Sequence, residues 1–412
     1  MTESITLAVL GGSGAATPAL IQALTERTDR PPMDVVLIGR TEEKLAKVAG
    51  VSERLAQRSA GPPLRVRHTT DMDRGLEGSD YVLNQIRVGG YPARRYDETF
   101  PHAFGLPGEE TFGPGGMSNA LRTIPVMLDV CRRTEQVAPQ ALLVNLTNPS
   151  SYIQYAVSRY TRLQVVGVCD SPVGLAQLIA AALGASPDEL WVGYVGMHHF
   201  GWVTEVRWKG TDVLPELLAR LDSLPGLPVD ADIVRGMRAI PTSYFRYYYH
   251  PDRMLARQQG KPSRAEQLIE LESKMLAEYA NPAQAGLPPS LLERGANWYQ
   301  AIVVPVVLAH ALDAHRTFVL NLRNDKVLSW MPEEAIVELP TLVTRQGFYP
   351  LDPPPAPLDL QAMMLRNAAC EMLWVEAVVE RSYEKALRAM VLNHLVHDLD
   401  QARAVLNEIW PA

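Results

Sequence analysis

The sequence predicts an α/β protein: a parallel sheet covered by helices on both faces, followed by a mixed α+β, helix-rich second part. Three observations carry that expectation. Short apolar runs alternate with amphipathic stretches as far as GVCDSPVG at 167–174. A glycine-bearing turn follows the first apolar run directly. Beyond GVCDSPVG the alternation gives way to hairpin-like and long helical segments.

The opening ITLAVLGGSGAATPALIQALTER reads as strand, turn and helix, with Pro18 near the helix start where its fixed φ is already suitable. PMDVVLIG at 32–39 is a second strand, and RTEEKLAKVAGVSERLAQR a helix with Glu42 and Glu43 near its positive end. LRVRHTT, SDYVLNQI, ALLVNLTNP and LQVVGVCDSP supply further strands, with DMDRGLEG a short helix or turn and SYIQYAVSRYT a helix. VGLAQLIAAALG is helical, ELWVGYVGMHHFGWVTEVRWKG is antiparallel hairpin material, and RAEQLIELESKMLAEYA is a long helix. GFYPLDPPPAPLD at 347–359 is too rich in proline for a helix or central strand and reads as a surface loop. DETFPHAFGLPGEETFGPGGMSNALRTIP at 97–125 reads as a long irregular connection of the kind that binds ligands. The last helical stretch carries enough apolar residues to pack back on the body. The expected division is a dinucleotide-binding domain over 1–172 and a domain for substrate, metal and oligomer contacts over 173–412.

With 412 residues, 47% of them hydrophobic, the chain has the composition of an ordinary globular protein large enough for two cores. A net charge of -7 exerts no long-range attraction on nucleic acid or anionic lipid, so neither is an expected partner. The three cysteines form no disulfide framework and suit a reducing compartment. MTESITLAVLGG lacks the order of a signal peptide, and Asp, Arg, His or Gly interrupts every candidate membrane span. A cytoplasmic location is the expectation.

The turn GGSGAATP places Gly11, Gly12 and Gly14 where backbone amides approach a pyrophosphate in a Rossmann-like unit. An acidic residue commonly ends the second strand of an NAD site, but LIGR ends in Gly39 and Arg40. Arginine there suits a 2′-phosphate, so NAD and NADP both stand as candidates; the bland account is a solvated arginine opening a helix. Arg87, just past the fourth strand, is either a bidentate grip on a phosphate or a structural ion pair. Asn148 in TNP is either a sugar contact or a turn former.

Cys169 and His199 form a credible pair of ligands for a divalent transition ion, leaving positions for substrate oxygens. A buried free cysteine beside a packed histidine is the alternative, while a protease-like pair lacks any nucleophile-elbow context. If GMHHFGW is a strand, His198 and His199 point to opposite faces and need not share a site. Asp170 can serve as an acid if its surroundings keep it protonated, and Tyr244 as a base if a cation acidifies its phenol. Arg246, His250, Arg264 and Tyr299 are possible contacts of undefined geometry.

The ordered set GGSGAATP, QIRVGG, GEETFGPGG, ALRTIP, NLTNP, GVCDSP, GMHHFGW, IPTSYFRYYY, KPSRAE and ERGANWY resembles glycoside hydrolase family 4, from residue 5 almost to the C-terminus. The family includes phospho-α- and phospho-β-glucosidases and α-galactosidases. The resemblance implies tightly held NAD and a divalent metal, usually Mn2+, held by Cys169 and His199. It implies a glycosidase that oxidises sugar C3, eliminates at C1, adds water and reduces C3 again. Tyr244 then corresponds to the base at C2 and Asp170 to the acid. Arg87, Glu110, Asn148, His198 and Arg264 fall at substrate positions, with a phosphorylated glycoside as the expected small-molecule partner and a homodimer or homotetramer as the assembly. The chain departs from the family pattern at Gly14, where a serine is usual, at Gly39 and Arg40, at GEET for GQET, and at His198, where an asparagine is usual. A sugar dehydrogenase, or a silent sugar- or nucleotide-binding protein, is the alternative.

Overall fold

Apolar strands each followed by an amphipathic helix bury both faces of a sheet only when helices cross over each side of it. The computed structural model describes all residues except 1–3, 222–226, 228, 282, 285 and 412. It begins β1 (Ile5–Leu10), α1 (Thr17–Thr25), β2 (Met33–Ile38), α2 (Glu42–Ala56), β3 (Leu64–Thr69), α3 (Met72–Leu76) and β4 (Tyr81–Asn84). There follow α4 (Gly90–Thr99), α5 (Gly113–Val137), β5 (Leu142–Asn145), α6 (Ser150–Tyr160) and β6 (Val165–Gly167). These six strands lie in the order β3-β2-β1-β4-β5-β6, all parallel. Ala8, Val35, Val36, Val82, Leu83, Leu143 and Val144 are fully buried, as strands covered on both faces require. The order reverses between β1 and β4, which opens a crevice at the carboxyl ends of the strands.

The second half starts with α7 (Ser171–Leu183) and a hairpin of β7 (Leu190–Met197) and β8 (Phe200–Trp208). Next come β9 (Thr211–Asp212), α8 (Leu214–Ala219), α9 (Ala231–Met237), β10 (Ile240–Pro241), α10 (Phe245–Tyr249) and α11 (Pro251–Gln258). The chain continues through α12 (Arg264–Tyr279), α13 (Pro289–Arg294), a π-helical turn at Tyr299–Val303 and α14 (Val304–Ala311). It finishes with β11 (Arg316–Arg323), β12 (Ile336–Thr344), β13 (Gly347–Pro350), α15 (Leu358–Glu380), α16 (Tyr383–Leu392) and α17 (Leu399–Ile409). The later strands extend the first sheet. Asn321 of β11 pairs with Gly167 of β6, and Glu338 of β12 pairs with Gly196 of β7, both antiparallel. Among the described residues a single 13-stranded sheet therefore runs from β3 to β10.

Two local expectations are corrected. The 97–125 stretch is mostly helical: α4 reaches Thr99, a 3-10 turn covers Phe100–Phe104, and α5 begins at Gly113. Pro114 opens α5, where a missing N–H costs no hydrogen bond, and Pro125 is carried inside it. Irregular backbone is confined to 105–112. Within 347–359, Gly347–Pro350 is the strand β13, paired to β12 with Pro350 at its end, a position where proline is tolerated. The C-terminal helices do pack on the body. Trp374 of α15 is buried, and its Nε1 donates to the Met117 carbonyl of α5 at 3.0 Å.

Candidate active site

The loops at the carboxyl ends of β1, β2, β4, β5 and β6 and the tip of the β7–β8 hairpin enclose a cavity of about 910 Å³. Gly11, Gly14, Arg40, Arg87, Glu110, Asn148, Cys169, Asp170, His198, His199, Tyr244 and Arg264 all line it. Gly12 does not: its N–H donates to the Ile38 carbonyl at 2.8 Å, and a Cβ there would stand 2.7 Å from Leu37 Cα. Its small size lets the turn lie against β2, and its amide is unavailable to a ligand.

One end of the cavity fits a pyrophosphate. Gly11 has φ 78°, and a Cβ on it would meet the Gln85 carbonyl oxygen at 2.9 Å. Among the described residues the N–H groups of Ser13, Ala15 and Ala16, which line the cavity, have no acceptor. Uncommitted amides ahead of a helix form an anion cradle. Residues remote in sequence brace this turn. Gln85 Nε2 donates to Thr17 Oγ1 at 2.9 Å and to the Gly11 carbonyl at 3.2 Å. Tyr299 donates its hydroxyl to Gln85 Oε1 at 2.6 Å, and Tyr279 donates to the Ala15 carbonyl at 2.5 Å. Gln85 and Tyr279 were not legible as site residues, because nothing local marks contacts spanning 68 and 264 positions.

The other end holds the thiol and both imidazoles. Met197 pairs with Phe200, so His198 and His199 are the two turn residues of the hairpin and not part of a strand. His199 takes φ 60°, a left-handed conformation that histidine adopts more readily than bulkier residues. The expectation of opposite faces therefore fails. The two rings stack at 3.8 Å and 22°, and Tyr244 stacks on His199 at 3.6 Å and 10°. One donor atom from each of Cys169, His198 and His199 lies within 4.8 Å of the others. Both histidine Nδ1 atoms are buried without a protein partner. Burial pushes His198 down to about 3 and His199 well below the usual imidazole range, so both rings are neutral and able to ligate. Burial, then Glu338 and Asp170, push the Cys169 thiol well up. Such a thiol ionises readily only against a cation. Two enclosed, partnerless imidazoles beside a thiol are a donor set that fits a divalent transition ion, and His198 adds a third donor to the expected pair.

Tyr244 precedes α10, and its phenol is raised well above the usual value by burial and then by Glu109, Cys169, Glu110 and Asp170. Asp170 immediately precedes α7 at the exposed rim, without a side-chain capping hydrogen bond, and its carboxyl is raised by desolvation. Glu110 is an ion-paired hub. It meets Arg87 in a close contact and Arg94 Nη1 at 3.0 Å. Burial would raise Glu110, but Arg87 and Arg94 outweigh it and hold the carboxyl at about 2. Neighbouring Glu109 is pushed up to about 7 by burial and by Glu110, while accepting the N–H groups of Thr111 and Phe112 at 2.6 and 2.7 Å. Asn119 Nδ2 ties the Glu110 carbonyl, at 3.0 Å, to the Asn148 carbonyl, at 3.2 Å. The Asn148–Pro149 peptide is cis. Arg264 is the exposed first residue of α12 and donates to Gln267 Oε1 at 3.0 Å.

A dinucleotide-type sheet whose crevice ends in a thiol–imidazole cluster defines a class of enzyme that joins a redox cofactor to a metal-assisted step on a small substrate. A family model described as "Family 4 glycosyl hydrolase" matches residues 6–185, and one described as "Family 4 glycosyl hydrolase C-terminal domain" matches residues 194–396. The chain belongs to glycosyl hydrolase family 4, the NAD- and metal-dependent 6-phospho-glucosidase family, and is a glycosidase-like enzyme. It is 30% identical to a "Probable 6-phospho-beta-glucosidase" of Bacillus subtilis (strain 168), over 100% of this chain and 97% of that protein. A crystal structure of the Thermotoga maritima 6-phospho-beta glucosidase with NAD and glucose-6-phosphate superposes with a TM-score of 0.91 at 26% identity, covering 98% of this chain and 97% of that one. A 6-phospho-alpha-glucosidase from gut microorganisms, solved with NAD and Mn2+, gives 0.88 at 25% identity, covering 99% and 97%.

Proposed function

We propose that this chain hydrolyses a 6-phosphoglycoside, with residues 1–172 taking the dinucleotide and residues of both 1–172 and 173–412 meeting the substrate. The observation that carries this reading is the placement of Cys169, His198 and His199 in one cavity with the glycine cradle after β1. Bound dinucleotide supplies a reversible hydride acceptor for sugar C3, and a divalent cation, manganese in this reading, supplies Lewis acidity beside the C2 and C3 oxygens.

The chain's own groups then divide the proton work. With C3 at the ketone level the C2 proton is acidic, and Tyr244 removes it. Burial, then Glu109, Cys169, Glu110 and Asp170, hold its phenol high, and positive charge among Cys169, His198 and His199 is what lowers it. Asp170, protonated more readily than an ordinary aspartate, delivers a proton to the glycosidic oxygen as the C1–O bond breaks. Arg87 and Arg264 orient the substrate phosphate, and Asn148 and Glu110 orient its hydroxyls. Water then adds across C1 and C2, its oxygen to C1 while Tyr244 returns a proton to C2, and C3 regains its hydride, so no net oxidation accompanies turnover.

The test is a panel of matched phosphorylated and unphosphorylated α- and β-glycosides with dinucleotide and Mn2+ under reducing conditions. The reading expects sugar release with only catalytic dinucleotide and a clear preference for the phosphorylated member of each pair. Stoichiometric formation of reduced dinucleotide would make the chain a sugar dehydrogenase instead. Replacing Asp170 with Asn should slow alkyl glycosides far more than nitrophenyl ones, whose leaving group needs no proton.

A further inference from the structure

We propose that the dinucleotide this chain selects is the 2′-phosphorylated one, NADP, and that Arg40 selects it. The inference rests on the dinucleotide reading above and specifies it.

In an open doubly wound sheet the adenosine ribose lies past the end of the second strand. A carboxylate there accepts the 2′-hydroxyl and repels a 2′-phosphate, whereas a guanidinium grips the phosphate through paired N–H donors. Here β2 ends at Ile38, and the next position is a glycine, which offers no carboxylate and sits where any side chain would be tight. A Cβ on Gly39 would stand 3.0 Å from Ser13 Cβ and 3.1 Å from both Leu45 Cδ1 and Ser13 Oγ. Arg40 follows at once, exposed and lining the cavity, with no ion pair among the described residues. Other cations along the same wall are already matched: Lys44 with Glu272 at 2.8 Å, and Arg133 with Asp73 at 2.6 Å.

The surroundings agree in sign. Thr41 precedes α2 without a side-chain cap, so the uncapped positive end of a 15-residue helix starts two residues after Arg40. The two acids of that first turn are drawn aside, Glu42 to His68 at 3.4 Å and Glu43 to Lys47 at 2.7 Å, and neither lines the cavity. Asp71 does line this end, but it follows β3, and its Oδ1 accepts the Arg74 N–H at 3.2 Å in capping α3.

The experiment is calorimetric titration of dinucleotide-free protein with NADP+, NAD+, 2′,5′-ADP and 5′-ADP, without substrate or metal. The expected result is at least about 10-fold tighter binding of NADP+ than of NAD+, with 2′,5′-ADP binding better than 5′-ADP. Arg40→Ala should remove that preference by weakening NADP+, and Arg40→Lys should keep part of it. NAD+ binding as tightly as NADP+ in the wild type, or Arg40→Ala weakening both equally, would overturn the proposal while leaving the dinucleotide reading intact. Failure of all four ligands to bind would overturn that broader reading as well.

Discussion

Replacing Glu371 with Gln isolates the energetic cost of one buried acid. Glu371 lies in α15 at 6% exposure, accepting Ser151 Oγ at 2.8 Å and Asn367 Nδ2 at 2.9 Å. Burial pushes its carboxyl up to about 8, and the two hydrogen bonds only partly oppose that. The folded protein therefore keeps a proton that the unfolded chain loses above its ordinary value of 4.5. Stability contributed by this group is complete below 4.5 and falls as pH rises, until ionisation of the folded form near 8 ends the decline. At about 1.36 kcal/mol per pKa unit the loss is about 3 kcal/mol by pH 7 and about 5 kcal/mol above pH 8. Gln keeps an oxygen for Ser151 and Asn367 but never ionises. Urea unfolding of metal-free wild type and Glu371→Gln at about pH 5, 7 and 8.5 measures the difference directly. The variant should gain about 3 kcal/mol on the wild type between pH 5 and 7. Parallel stability profiles would refute the assignment of a neutral, desolvated carboxyl.

His199→Ala should lose bound manganese by elemental analysis and lower turnover by on the order of 10³-fold while the far-ultraviolet circular dichroism is unchanged. Tyr244→Phe keeps the ring against His199 but removes the phenol; kcat should fall by about 10² to 10⁴, and deuterium from solvent should no longer enter C2 of the released sugar. Gly12→Ala should destabilise the fold by about 1–3 kcal/mol in thermal or urea melts, because its Cβ meets the Leu37 backbone at 2.7 Å.

Much of the sheet was legible because periodicity is local. β1 to β6 follow from alternating apolar runs, and the glycine turn, GVCDSP and GMHH mark the cavity's ends in the sequence itself. What escaped was non-local. Nothing in the sequence shows that β11 and β12 insert between β6 and β7, because Asn321–Gly167 and Glu338–Gly196 join segments more than a hundred positions apart. Proline misled at Pro350, where a strand end accepts it, and the glycines of 97–125 misled because several of them lie inside the first turn of α5 or beside it. The histidine pair misled in another way: alternation applies inside a strand, and a two-residue turn releases it. Arg94, the second partner of Glu110, lies in a helix rich in charged residues and carries no motif of its own.

The unbroken run of strands from β3 to β10 constrains how the enzyme opens and closes. A clamshell motion separating the glycine turn from the histidine hairpin would have to unzip Asn321 from Gly167 or Glu338 from Gly196. The distance between the glycine turn and the histidine hairpin is thus a fixed dimension of the plate on which they are mounted. The exposed side chains of Asp170 and Arg264, which line the cavity without belonging to any strand, are not bound by that constraint.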